Sequence, residues 1–159
     1  MGEWLLSFGI RLCKKEDLSA VHELSAKHTS FDATPTLAGT EGMYARNPKY
    51  FYVAADSSGE IIGFVTGYER KNIPGEVLRT WKATRVGYVD LMAVASTHRR
   101  KGVGTRLMNT LLGQFRNDGI DMVILDVPAE QLAAVKLYEK LGFHMSAFNM
   151  RKHLKNETF

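Results

Sequence analysis

Residues 86–105 constrain the fold more than any other stretch. Val86–Val94 reads as a strand, Arg99-Arg100-Lys101-Gly102-Val103-Gly104-Thr105 follows as a basic loop with two glycines, and an amphipathic helix pattern begins at Val103. A loop of this composition at a helix start suits an anion. Glycine lets the backbone come close, while the first helical N–H groups lack partners and the dipole is positive there. Arg99, Arg100 and Lys101 add cationic side chains, so the segment reads as a phosphate-holding loop.

Spacing separates the phosphate motifs. The dinucleotide fingerprint needs glycine where Leu107 stands, and the P-loop needs Gly-Lys-Ser or Gly-Lys-Thr where Gly104 is followed by Thr105. Arg-x-x-Gly-x-Gly remains, formed by Arg99, Gly102 and Gly104. A glycine-rich turn with solvated basic residues is the bland alternative.

Elsewhere the chain alternates strand and helix patterns. Trp4–Cys13 predicts a first strand, Glu16–Lys27 a helix with Leu18, Val21, Leu24 and Ser25 on one side, and Leu37–Arg46 a short helix ended by Pro48. Tyr50–Ala55 and Ile61–Tyr68 form the clearest hairpin, joined through Asp56-Ser57-Ser58-Gly59-Glu60. Arg70–Arg85 has no clean period and reads as a working loop or hairpin extension. Beyond the phosphate loop, Val103, Leu107, Leu111 and Phe115 make a core-facing stripe, with Met108 and Leu112 widening it. Met122–Val127 reads as a strand covered on both faces, Pro128 opens a helix to Leu141, Gly142 caps it, and Phe148–Leu154 supplies a last strand.

A second motif lies in that last helix. Gln131-Leu132-Ala133-Ala134-Val135-Lys136-Leu137-Tyr138-Glu139-Lys140-Leu141-Gly142-Phe143 resembles the C-terminal signature of the GCN5-related N-acetyltransferases (GNAT), usually Asn-x-x-Ala-x-x-x-Tyr-Glu-x-x-Gly-Phe, and the Arg-x-x-Gly-x-Gly loop resembles the same family's coenzyme A motif. Gln131 departs from the usual Asn. The resemblance covers nearly the whole chain and implies one α/β domain over residues 1–159, with a mixed, mostly antiparallel sheet of six to seven strands flanked by helices. It also implies acetyl-CoA as co-substrate. The backbone of Met92, Ala93 and Val94 would pair with pantetheine, Arg99, Arg100, Lys101, Gly102, Val103, Gly104 and Thr105 would hold the pyrophosphate, and Gln131 would reach the pantetheine amides.

Tyr138 shares a helix face with Ala134 and Leu141 and would by itself be a core aromatic with a satisfied hydroxyl. The resemblance makes it the donor to the departing thiolate. A phenol near pKa ~10 stabilises a thiolate of pKa ~8.5 by hydrogen bonding rather than by full proton transfer. Asp126, twelve residues before Tyr138, matches an acid used by the ribosomal-protein N-terminal acetyltransferase branch and would receive the amine's proton; a cap for the helix around Pro128 is its alternative. Asp90 is second in line, on a face shared with Met92 and Val94 under strict alternation, with a buried ion pair as the competing role. The implied reaction is direct attack of a primary amine on the thioester, with backbone N–H groups around Val89–Val94 stabilising the oxyanion.

Other chemistries fit poorly. His22-Glu23 lacks a second histidine at position 26, which is Ala26, there is no Gly-x-Ser-x-Gly elbow, and His98, His144 and His153 form no ligand-spaced cluster, so no metal is expected. Cys13 is the sole cysteine; no internal disulfide can form, and it reads as a small buried hydrophobe in a reducing cytoplasm. The net charge of +4 is spread among acids, so nucleic acid is not implied, and no apolar run approaches the ~20 residues needed to span a bilayer. The N-terminus reads as mature protein, and Leu6 stands where a myristoylation signal needs a hydroxyl. An amine-bearing acceptor, small molecule or peptide, is the expected partner. Thr29–Asn47 and Arg70–Arg85 are expected to shape its pocket, with Arg70, Lys71, Arg79, Lys82 and Arg85 as cations for an acidic one. Self-association into a homodimer stays open. A non-catalytic coenzyme A-binding scaffold of the same fold is the alternative function, and a basic nucleic-acid binder a third.

Overall fold

The computed structural model describes residues 7–28 and 35–154. They divide into two compact units at Asp126.

The first unit is built on a five-stranded sheet in sequential order, β1 (Phe8–Leu12), β2 (Phe51–Asp56), β3 (Ile61–Arg70), β4 (Val86–Val94) and β5 (Met122–Leu125). The first three pairings are antiparallel, and β4 pairs with β5 in parallel. Parallel neighbours need a crossover, which α4 (Val103–Asn117) supplies. The predicted mixed, mostly antiparallel sheet is present, but with five strands among the described residues rather than six to seven. Phe148–Leu154 alternates as a strand should and yet forms none: Phe148, Met150 and Leu154 are exposed, and a strand exists only where a neighbour supplies the ladder.

One sheet face packs on α1 (Leu18–His28) and α2 (Leu37–Arg46), burying Leu18, Val21, Leu24, Phe51, Phe64, Leu91 and Ala93 together with Cys13. The other receives the α4 stripe of Val103, Leu107, Met108, Leu111 and Phe115, all fully buried. Small residues in the sheet make room for it. A Cβ at Gly67 would lie 2.6 Å from the Tyr88 carbonyl and 2.9 Å from the Phe115 ring, and one at Gly87 would sit 3.1 Å from the same ring.

Several boundaries match the sequence reading, including α2, β4 and α4. The first strand begins at Phe8 among the described residues; positions 4–6 of its predicted extent lie outside them. Arg70–Arg85, expected as a working loop or hairpin extension, instead contains a short helix, α3 (Gly75–Trp81), closed by Lys82 in a left-handed conformation. β5 is half-buried along its length rather than covered on both faces.

The second unit carries α5 (Leu132–Lys140). It starts four residues after Pro128 rather than at it, and Gly142 at φ +92° takes the expected left-handed position beyond its end. No helix among the described residues is long and apolar enough to cross a membrane.

Candidate active site

The site grows from an inequality in β4. Its pairing with β5 runs from Val86↔Met122 to Val89↔Leu125 and stops, whereas its pairing with β3 continues to Gly63↔Val94. The two parallel strands therefore part company after Val89. The Ala95 N–H donates to the Ile62 carbonyl at 2.8 Å, so strand alternation turns the backbone of Ala93 toward β3 and that of Met92 and Val94 toward the open side. Of the three predicted pantetheine contacts, Met92 and Val94 thus present backbone groups to the gap, while Ala93 is buried against β3.

The β3 ladder has a second irregularity. Thr66 pairs with Leu91 and Gly67 with Val89, leaving Asp90 as an extra residue opposite neither. Such a bulge redirects side chains. It breaks the strict alternation that would set Asp90 beside Met92 and Val94. Asp90 instead joins Met43, Arg46, Asn47, Thr66, Gly67, Tyr68 and Glu69 around a cleft of about 500 Å³. Burial pushes its carboxyl up from the ordinary range, opposed by the positive charge of Arg46.

Beyond Val94 the chain makes a turn of 3₁₀ helix over Ser96–His98 and enters the basic loop. Arg100 (φ +61°) and Gly102 (φ +81°) are both left-handed, which curls the loop and delivers Gly102 as the residue preceding α4. The Gly102 carbonyl accepts from the Arg106 N–H, the first bond of the helix. The N–H groups of Val103, Gly104 and Thr105 therefore lie in the first turn, where helical donors have no carbonyl within the helix. The members of the loop differ in what they offer. Val103 is buried, leaving its backbone; Arg100 and Lys101 are exposed; Arg99 Nε donates to the Val94 carbonyl at 3.3 Å and so ties the loop to the end of β4. Open strand edge and helix start together fit an elongated ligand with amides along one part and a diphosphate at the other.

Asp126 follows β5 by one residue. Its Oδ2 accepts a 2.6 Å hydrogen bond from the Tyr88 hydroxyl, and α5 begins at Leu132 with Gln131 in the cap position, so Asp126 is held by β4 rather than capping the helix. Burial and the Asp126 charge both push the Tyr88 phenol well above its usual range, keeping it a protonated donor. Tyr88 stacks on Tyr68 at 5.2 Å between ring centroids, and Tyr68 lines the cleft. Sequence reading missed Tyr88, because its place opposite Ile124, two residues from Asp126, is set by the parallel register and by no local pattern.

A family model described as Acetyltransferase (GNAT) family matches residues 5–143. The chain belongs to that family. As a GNAT chain it is 40% identical over 62 residues to N-alpha-acetyltransferase 30 of Xenopus laevis, a match covering 39% of this chain and 23% of the relative. The structure of Ard1 from Thermoplasma volcanium superposes with a TM-score of 0.74 at 26% identity, covering 89% of this chain and 85% of that one. The NatC complex bound to Gag peptide and CoA contains a chain of the same fold, with a TM-score of 0.75 at 19% identity and coverage of 89% and 87%.

In the second unit, Tyr138 is half-buried on α5 and meets Phe143 edge to face, with ring centroids 6.0 Å apart; burial pushes its phenol up. Gln131 precedes the same helix with its backbone N–H donating to the Pro128 carbonyl at 2.9 Å. Among the described residues no group of three or more His, Cys, Asp and Glu side chains is placed to hold a metal.

Proposed function

We propose that this chain is an acetyl-CoA-dependent N-acetyltransferase acting in the cytoplasm, moving an acetyl group to a primary amine on a protein N-terminus, a lysine or a small molecule by direct attack on the thioester. The observation that carries this reading is the parting of β4 from β5 after Val89, with an open backbone edge leading to the loop at the start of α4. Bound acetyl-CoA supplies a thioester already activated toward amines. The backbone of Met92 and Val94 takes the pantetheine amides as an added strand would. Val103, Gly104 and Thr105 direct their N–H groups at the diphosphate, and Arg100 and Lys101 add charge. Gln131 reaches the pantetheine.

Asp126, fixed by Tyr88, receives the amine's proton directly or through a water, and Tyr138 donates to the leaving sulfur. Likeness to proteins named N-alpha-acetyltransferase supports the amine as acceptor. A lone buried cysteine suits a reducing compartment. Replacing Gly104 by Val puts a branched side chain in the first turn of α4, and calorimetry on the folded variant should show acetyl-CoA binding weakened by about tenfold or more. Undiminished affinity would remove the loop from this account.

A further inference from the structure

The cleft beside Asp90 holds two opposite charges that the fold leaves unjoined. Asp90 sits on the bulge of β4, paired with neither β3 nor β5, immediately after Val89, where the β4–β5 pairing ends. Arg46, in the last turn of α2, lines the same cleft; its charge acts on Asp90 without a hydrogen bond between them. The remaining acid of the lining, Glu69, is engaged by Lys71 at 2.7 Å and Arg85 at 2.8 Å. A half-buried carboxylate and an exposed guanidinium therefore face one space without a direct ion pair between them.

Resting on the acetyltransferase reading, we propose that Asp90 and Arg46 are the acceptor-selecting pair, and that the acceptor carries a negatively charged group close to its reacting amine. Asp90 docks the incoming ammonium at the point where the strands part, next to Tyr68, Tyr88 and Asp126. Arg46 takes the anionic group. Acetylation removes the positive charge of the amine, so the product no longer engages Asp90 and leaves. The same chemistry is offered by a peptide N-terminus followed by an acidic residue and by a free amino acid through its own carboxylate.

The test measures thiol release with acetyl-CoA and three peptides identical except for Asp, Asn or Lys at the second residue, with free glutamate as a fourth acceptor, for wild type, Arg46→Glu and Asp90→Asn. In the wild type kcat/KM for the Asp peptide should exceed that for the Lys peptide by about tenfold, and Arg46→Glu should reverse that order. Asp90→Asn should raise KM for every acceptor more than it lowers kcat. Turnover of glutamate above that of the peptides, abolished by Arg46→Glu, supports the pair and assigns it to amino acids. Equal kcat/KM for the three peptides and glutamate in the wild type, or the same ranking in a folded Arg46→Glu, sinks the selecting pair while acetyl transfer stands. Absence of thiol release with all four acceptors sinks the selecting pair, and the acetyltransferase reading falls with it only if the folded chain also fails to bind acetyl-CoA in calorimetry.

Discussion

The two neighbours of β4 treat it differently. β3 follows it along its whole length and yields at one place, the bulge at Asp90, whereas β5 accompanies it for four residues and leaves. On the β3 side, glycines at 63 and 67 let α4 lie close to the sheet and the strand is held by packing. On the β5 side the backbone of Met92 and Val94 has no strand partner among the described residues, and the nearby side chains are titratable. Stability and chemistry are thus divided between two edges of one strand, and substitutions on the two edges should fail in different ways.

The sharpest break is expected on the packed edge. Gly67→Ala places a methyl group 2.6 Å from a backbone carbonyl and 2.9 Å from the buried Phe115 ring. Neither can move cheaply, and overpacking of this kind costs about 3 kcal/mol. A thermal melt should fall by about 10 °C, with residual activity at low temperature following the folded fraction. An unchanged melting temperature would mean that α4 is not pressed against the sheet there.

On the open edge the fold should survive and the rate should not. Tyr88→Phe keeps the ring on Tyr68 and deletes the hydroxyl that fixes Asp126, and Asp126→Asn removes the carboxylate itself. Each should lower kcat by about 10²-fold while leaving acetyl-CoA affinity near wild type. With an α-amino acceptor of pKa ~8, free amine accumulates as pH rises, so the Asp126→Asn defect should shrink toward alkaline pH. A profile parallel to wild type would give Asp126 a structural role, and a lowered melting temperature in Tyr88→Phe would place that residue with the packed edge.

The same contrast explains which parts of the molecule are legible in its sequence. β4 was legible as an apolar run and α4 by its four-residue apolar repeat, because both record burial, and burial is what the packed edge consists of. The end of α2 was legible because Pro48 stops it, whereas the Thr36 side chain that caps its start by accepting from the Gly39 N–H is seen only in the structure. Asp126 was marked by its place at the end of an apolar strand and by the family resemblance, and the basic loop by its glycines and cations. The bulge was not, since an extra residue in one strand is defined by its partner's register, and no local pattern at Asp90 encodes the spacing of Thr66 and Gly67. Tyr88 was hidden for the same reason. α3 lacks buried residues and so leaves no periodic trace, and Phe148–Leu154 has the alternation of a strand without a neighbour to pair with.

The smallest effect should come from the Glu69 cluster, which clamps the far end of the β3–β4 pair. Arg85 and Lys71 hold the Glu69 carboxyl at about 2, below its ordinary 4.5. A carboxylate with a depressed pKa stabilises the fold above its unfolded value and loses that contribution as pH falls toward the folded one. Both cations are exposed, so solvent screening brings the contribution down to about 1 kcal/mol. Glu69→Gln should therefore be slightly less stable than wild type at pH 7, and the gap should close between pH 4.5 and about 2 in urea melts. It should also narrow in high salt, which screens surface charges and leaves the Gly67 contact untouched. A gap independent of pH and salt would assign Glu69 to packing and make the two edges of β4 less distinct than the pairing implies.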